Sequence, residues 1–183
     1  MVSPNSVVIE DRRNGGRHVV ATTEHPQLGR HDVDEIYSTT IGAALSAGVC
    51  VLAGTQLALM FGPDVFRRLV TDLRRHGVIV VTDLCGDLLQ KVLGVGVDVV
   101  KLSHEELVAD GLARSGSREE VIRAMLRLRT AGAGSVVVSR QDRSTLACDA
   151  DGCLEVRSPS LEVLDGRGGG DSMTAALAVG AAR

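Results

Sequence analysis

Four short apolar runs, separated by segments with helical signals, constrain the fold of this chain more than any other feature. The runs are rich in valine and are too short for helices; they cover 49–53, 78–82, 97–102 and 135–139. Helices that connect apolar strands form βαβ units, in which the strands are parallel and helices cover both faces of the sheet. The pattern therefore predicts an α/β fold of three αβα layers with a mostly parallel central sheet.

Local signals set the ends of the predicted helices. Asp32 is the predicted N-cap of a helix to about residue 47, and Pro63 fits the first turn of a second helix. Ser103 and Ser117 each stand three positions before a glutamate, which is the capping-box pattern. Further helices are predicted over 87–93 and 171–182, and hairpins over 6–10 with 17–22 and over 145–148 with 153–156.

Composition argues against several classes of function. The formal net charge is −3 and only three residues are aromatic, so no nucleic-acid partner is expected. No apolar run is long enough to span a membrane and no signal peptide is visible, so we expect a cytoplasmic protein without a membrane partner. Cys50, Cys85, Cys148 and Cys153 fit no zinc pattern and are interpreted as reduced thiols.

The strongest chemical signal is a glycine-rich turn, Gly-Arg-Gly-Gly-Gly-Asp-Ser over 166–172, that opens the last predicted helix. Glycines let backbone N–H groups converge on an anion, and a helix N-terminus adds a positive dipole. The Asp171 carboxylate beside such amides suits phosphoryl transfer, because it can take the proton of an attacking hydroxyl. The alternative is a flexible turn with Asp171 as N-cap, and local chemistry leaves both interpretations open.

The residues around this turn resemble the C-terminal signature of the PfkB, or ribokinase-like, carbohydrate kinases. Residues 163–177 follow the family's Asp-Thr-Thr-Gly-Ala-Gly-Asp-Ser pattern and the small, apolar helix after it. Three more segments resemble family motifs, in the family's order: the strand ending in Asp-x-x-Gly at 80–86, the Lys-Pro-Asn-x-x-Glu-Leu segment at 99–107, and the strand before the nucleotide loop at 136–139. The 1-phosphofructokinase and related hexose kinase branch is the most similar.

The resemblance implies a ribokinase-like fold and ATP-dependent transfer of the γ-phosphoryl group to a hydroxyl of a sugar or sugar phosphate, with Mg²⁺ as cofactor. It implies that Asp171 is the catalytic base. The amides of Gly168, Gly169 and Gly170 would form the anion hole. Asp165 matches a position that helps to bind a monovalent cation, K⁺, in some relatives.

The resemblance places three further residues, Ser103, Glu106 and Ser139, on the nucleotide and magnesium side of the site. The capping box of Ser103 and Glu106 is an alternative role that can coexist with this one. Lys101 is a candidate phosphate contact, with a surface lysine at a strand end as the alternative. The sequence does not identify direct protein ligands of the metal or name the sugar.

Several positions depart from the family pattern. Ser103 stands where the family has asparagine, and Gly166 and Arg167 replace two threonines, which weakens the case for the cation site. Gln141 and Ser144 replace both glycines of the nucleotide loop, which predicts altered nucleotide binding.

The chain has 183 residues and is shorter than family members. It is interpreted as one partial kinase domain over 1–183, with a hairpin and connection over 1–30 and an αβα core over 31–183 that is incomplete on its N-terminal side. An incomplete sheet leaves an open edge, so the isolated chain is expected to be marginally stable, self-associating or dependent on chaperones. The rival interpretation is an inactive kinase-like remnant that acts at most as a nucleotide-binding or interaction module.

Overall fold

The computed structural model describes residues 7–11, 13, 18–23, 28–54, 61, 63–141, 143–157 and 168–183. The strands are β1 (Val8–Asp11), β2 (His18–Thr22), β3 (Val49–Ala53), β4 (Ile79–Asp83), β5 (Val97–Ser103), β6 (Ala133–Ser139), β7 (Thr145–Cys148) and β8 (Cys153–Val156). The helices are α1 (Arg30–Ala47), α2 (Pro63–Arg75), α3 (Gly86–Leu93), α4 (His104–Ala109), α5 (Arg118–Thr130) and α6 (Gly169–Ala181).

Six strands form the main sheet in the order β3-β4-β5-β6-β7-β8. The first four are parallel and the last two antiparallel. Helices α1 to α5 cover one face, where Val80, Val100 and Val136 are fully buried. Helix α6 packs on the opposite face across β3 and β4, against Val81 and Val99. The three-layer α/β prediction with a mostly parallel sheet is confirmed.

The capping at the starts of α1 and α5 differs from the sequence prediction. Helix α1 begins at Arg30, and Asp32 is not its N-cap: the Asp32 carboxylate accepts a hydrogen bond from the backbone N–H of Gly29, at 3.2 Å. At α5, Ser117 accepts from the backbone of Glu120 at 3.4 Å, but the Glu120 carboxylate accepts from Arg123 instead of closing the box. Ser117 therefore makes half of the predicted capping box.

The two predicted hairpins both form. Strands β1 and β2 make a separate antiparallel pair with a bulge between Ile9 and Glu10, and residues 14–17 between them lie outside the described residues. Strands β7 and β8 have the predicted bounds and extend the main sheet beside β6. Within the described ranges, no helix combines the length and the hydropathy needed to cross a membrane.

The prediction of four reduced thiols is wrong for two of them. Cys148 and Cys153 form a disulfide, while Cys50 and Cys85 are free. The two bonded residues are directly paired across the β7–β8 hairpin, with Cα atoms 4.1 Å apart. Spacing along the chain does not reveal this pairing; the register of the hairpin does.

Reducing the Cys148–Cys153 disulfide is expected to lower the free energy of unfolding by about 2 kcal/mol. The effect is this small because a crosslink that closes so short a loop removes little entropy from the unfolded chain. Urea denaturation with and without reductant measures the difference. The double variant Cys148→Ser/Cys153→Ser is the control and should be indifferent to reductant. Global unfolding on reduction would contradict this expectation.

A hydrogen bond between Tyr37 and Asp72 joins α1 to α2. The Tyr37 hydroxyl donates to Asp72 Oδ2 at 2.6 Å, and the Arg68 guanidinium lies 5.3 Å from the centre of the Tyr37 ring. Burial, followed by the hydrogen bond and the charge of Asp72, raises the pKa of Tyr37 to about 12. The neutral phenol is therefore favoured in the folded state.

The free energy of unfolding is expected to fall as pH rises from about 10 to about 12, because the unfolded tyrosine ionises first. The Tyr37→Phe variant should lose this part of the pH dependence. Tyr37 is the sole tyrosine, so the ultraviolet absorbance of tyrosinate reports its titration alone. A midpoint near 10 in the folded protein would contradict the assignment.

Candidate active site

A buried ion pair lies at the carboxyl edge of the parallel strands. Asp83 is the last residue of β4, and Lys101 lies in β5 one register step beyond the paired Thr82 and Val100. The Lys101 Nζ atom is 2.8 Å from Asp83 Oδ2, and the two side chains are only 7% and 12% exposed. The alternative of a surface lysine at position 101 is therefore wrong.

The same carboxylate oxygen ties helix α6 to the sheet. Thr174 is 2% exposed, and its hydroxyl lies 3.0 Å from Asp83 Oδ2 and 3.0 Å from the Gly170 carbonyl oxygen. A Cβ atom at Gly170 would lie 2.9 Å from Lys101 Nζ. The close approach of the Lys101 ammonium to the backbone explains a glycine at position 170.

Helix α6 begins with the glycine-rich turn. Gly168 is its N-cap, in the left-handed conformation with φ +75°, and Ser172 donates the first helical hydrogen bond to the Gly168 carbonyl at 2.8 Å. Asp171 is exposed and lies in the first turn, so the interpretation of Asp171 as N-cap is wrong. The backbone N–H groups of such a first turn have no partners within the helix and can receive an anion.

Ser103 and Glu106 occupy the adjacent strand end. The Glu106 backbone N–H donates to Ser103 Oγ at 3.2 Å, while Glu106 Oε2 accepts from the Ser103 backbone at 2.7 Å and from its hydroxyl at 2.8 Å. The predicted capping box at the start of α4 is confirmed. Both hydrogen bonds that the Glu106 carboxylate accepts from Ser103 end on Oε2. Oε1 is therefore the oxygen with which Glu106 would contact a ligand.

Ser139 ends β6, in register with Ser103. Its hydroxyl donates to the Leu102 carbonyl over 3.5 Å. The turn that follows contains Gln141, which has φ +53° and is the one non-glycine residue in the described part of the chain with a left-handed backbone. The resemblance matches position 141 to a glycine of the family motif. Gln141 therefore has a backbone conformation that favours glycine.

The free thiol of Cys85, just after β4, has a pKa raised above its usual value. Burial raises the pKa of Cys85 first, and the charges of Asp110, Glu106 and Asp83 raise it further. Asp110 also accepts a hydrogen bond from the Gly86 backbone. Among the described residues no group of three or more histidines, cysteines and acids is preassembled to hold a metal ion.

Comparison with known sequences identifies the family. The model of the pfkB family carbohydrate kinases matches residues 38–183, more than half of the chain. This chain belongs to the pfkB family of carbohydrate kinases. The 1-phosphofructokinase of Haemophilus influenzae is 32% identical over 119 residues, which cover 64% of this chain and 38% of that protein.

Solved structures share the pfkB fold. A mutant of phosphofructokinase-2 from Escherichia coli superimposes with a TM-score of 0.79 at 22% identity, over 92% of this chain and 54% of the other. Ribokinase of Arabidopsis thaliana, complexed with ribose and ATP, has a TM-score of 0.71 at 18% identity, over 97% and 55% of the chains. This chain spans about half the length of these proteins, and the likeness establishes the ribokinase-like fold.

Within this pfkB fold, the structure describes two groups of predicted site residues, and one further predicted residue lies outside the described ranges. Lys101 lies against the glycine turn of α6, whereas Ser103, Glu106 and Ser139 line the ends of β5 and β6. Asp165 lies outside the described residues.

The site prediction omitted Asp83 and Thr174. Their signals are present in the sequence: Asp83 is a charge at the end of an apolar parallel strand, and Thr174 is a polar residue one helical turn after Asp171.

Proposed function

We propose that this chain carries the phosphoryl-transfer centre of an ATP-dependent carbohydrate kinase. The observation that carries the proposal is the first turn of α6. There Asp171 stands beside backbone amides that have no hydrogen-bond partner among the described residues, and Lys101 lies beneath Gly170. An anion-binding turn next to an exposed carboxylate is the arrangement that transfer of a phosphoryl group to a hydroxyl needs. Because the chain spans 38% to 54% of the length of these relatives, its own activity and substrates are part of the proposal.

In the proposed mechanism, Asp171 accepts the proton of the acceptor hydroxyl as the oxygen attacks the γ-phosphorus of ATP. The bond from the γ-phosphorus to the bridging oxygen breaks, and ADP leaves with that oxygen. The amides of Gly168, Gly169 and Gly170 stabilise the charge that develops on the transferred group. Lys101 adds a positive charge beside the same turn, in the role of a phosphate contact.

The nucleotide is proposed to lie over the ends of β5 and β6, against Ser103, Glu106 and Ser139. Mg²⁺, when bound, neutralises charge on the phosphates. Glu106 accepts its hydrogen bonds from Ser103 through Oε2, and its Oε1 is an oxygen ligand of the kind that this ion prefers. Glu106 is therefore proposed to help place Mg²⁺ through water.

The acceptor is proposed to be a sugar or a sugar phosphate. The name of the relative, 1-phosphofructokinase, and a structure of phosphofructokinase-2 from Escherichia coli with fructose-6-phosphate favour a hexose phosphate. Potassium is proposed near Asp165, since phosphofructokinase-2 has also been solved in complex with potassium. A cytoplasmic location, one partial kinase domain over 1–183 and self-association complete the proposal.

An acceptor panel tests this function. ADP release from ATP is measured with Mg²⁺ and, in turn, fructose phosphates, tagatose phosphate, fructose and ribose. Acceptor-dependent ADP release that stops on chelation of Mg²⁺ supports the kinase. ATP binding without release of ADP for any acceptor favours the rival function, an inactive nucleotide-binding module.

A further inference from the structure

The turn after β6 is held by a buried guanidinium. Arg140 is only 5% exposed although it follows the last residue of a strand. Its Nε donates to the Ser144 carbonyl at 2.8 Å, and its Nη2 donates to Glu155 Oε1 at 3.0 Å and to Ser144 Oγ. One side chain therefore spans the turn from residue 140 to residue 144 and fastens it to β8.

The partners of Arg140 are themselves fixed. Ser144 Oγ donates to the same Glu155 oxygen, and Arg118 Nε donates to the other Glu155 oxygen at 3.1 Å. The Ser144 hydrogen bond, followed by that of Arg118, holds the pKa of Glu155 below its usual value. The carboxylate thus stays charged at neutral pH and anchors the guanidinium to β8 of the disulfide hairpin.

The held turn has an unfavourable backbone. Gln141 has φ +53°, a conformation that residues with a Cβ atom rarely adopt. The Arg143 N–H closes the turn by donating to the Arg140 carbonyl at 2.9 Å, and the Gln141 side chain donates to Glu105 of α4. Contacts between the turn and the rest of the protein must offset the conformational cost at Gln141. Of the turn residues that make such contacts, Arg140 is the most buried.

We propose that Arg140 is a positioning residue for the nucleotide: its bonds to Ser144 and Glu155 hold the described residues of the turn, 140–141 and 143–144, and the left-handed backbone of Gln141 in the arrangement that receives ATP. A guanidinium that donates hydrogen bonds to several partners can fix a loop in a backbone conformation that otherwise favours glycine. The proposal rests on the proposed kinase function for the identity of the ligand. The clamp itself does not depend on that function.

The first test measures the clamp without any ligand. Arg140→Met keeps most of the aliphatic stem and removes the donors, so hydrogen exchange of the Arg143 amide should become about tenfold faster. Arg123→Met is the matched control: Arg123 also pairs with a glutamate, at 2.7 Å, but lies on the surface of α5. It should change exchange at Arg143 less than about twofold. Unchanged exchange in Arg140→Met would overturn the proposal.

Two further variants protect this test against simple misfolding. Glu155→Gln keeps the shape of the anchor and removes its charge, and it should speed exchange at Arg143 in the same direction. Adding Gln141→Gly to Arg140→Met removes the backbone cost and should restore much of the lost protection. Failure of both variants to behave in this way would overturn the role of the clamp.

The second test measures affinity for Mg²⁺·ATP by titration calorimetry. Arg140→Met should bind about tenfold more weakly, whereas Arg123→Met should match the wild type. Lost protection at Arg143 with unchanged affinity would overturn the nucleotide role of the clamp and leave the kinase function standing. A wild-type chain that binds no Mg²⁺·ATP would contradict the proposed function and with it the nucleotide role, and the exchange data would still decide the clamp.

Discussion

Asp171→Asn is expected to lower turnover at least about 100-fold, the usual scale for a positioned general base. Asparagine keeps the size of the side chain but cannot take the proton of the acceptor hydroxyl. Affinity for ATP should change little, because the anion-binding groups at Gly168 to Gly170 belong to the backbone. Stability should change little as well, because Asp171 is exposed and Gly168, not Asp171, caps the helix.

The matched control for this substitution is Asp64→Asn. Asp64 also lies exposed in the first turn of a helix, α2, and makes only a long ion pair of 3.8 Å with Arg67. It should leave turnover, ATP affinity and melting temperature near wild type. Near wild-type turnover in Asp171→Asn would mean that the proton goes elsewhere, and the proposed mechanism would be wrong at its centre.

Lys101→Met is expected to lower the free energy of unfolding by about 3–5 kcal/mol, because it leaves the buried Asp83 carboxylate without its counter-charge. In this variant the carboxylate keeps its contact with α6, because the Thr174 hydroxyl lies 3.0 Å from Asp83 Oδ2. Urea denaturation of the purified chain measures the loss. The double variant Lys101→Met/Asp83→Asn should recover much of it, since it removes both charges together.

Arg123→Met serves as the control for the buried pair. Its ion pair with Glu120 has a similar distance, 2.7 Å, but Arg123 is 61% exposed, so its loss should cost less than about 1 kcal/mol. If Lys101→Met costs no more than this control, or if the effects of Lys101→Met and Asp83→Asn simply add, the buried ion pair does not stabilise the fold as we infer.

The layers of the fold were predictable because hydrophobic periodicity is strong in this chain. Four apolar runs became the parallel strands β3 to β6, and the hairpin β7–β8 has its predicted bounds. Helix starts were harder, because a first-turn acid and an N-cap look alike in sequence. Both Asp32 and Asp171 lie in the first turn of a helix that a glycine caps.

The site was predictable only in part, because pairing between distant strand ends is invisible along the chain. The motif around Asp171 pointed to the glycine turn, but Lys101 was left open between a phosphate contact and a surface charge. Only the register of β4 and β5 brings Lys101 beside Asp83, and only the packing of α6 adds Thr174. The Cys148–Cys153 disulfide was missed for another reason: the predicted hairpin places the two cysteines at facing strand ends, but thiols were expected to stay reduced in a cytoplasmic protein.

The turn after β6 shows how substitutions in a motif can compensate one another. Gln141 and Ser144 in place of glycines predicted a changed loop. In the structure Gln141 takes the left-handed backbone, and Ser144 bonds with Arg140. The Arg140–Glu155 contact joins residues that are far apart in sequence, so no local pattern announces it.

The most direct test of the phosphoryl-transfer centre is phosphorus NMR of the wild-type chain with ATP, Mg²⁺ and the acceptor panel. The proposed mechanism predicts that a new sugar-phosphate resonance and ADP appear together in equal amounts, and that neither appears without Mg²⁺. ATP that binds but stays intact with every acceptor, or that yields only inorganic phosphate, would contradict it.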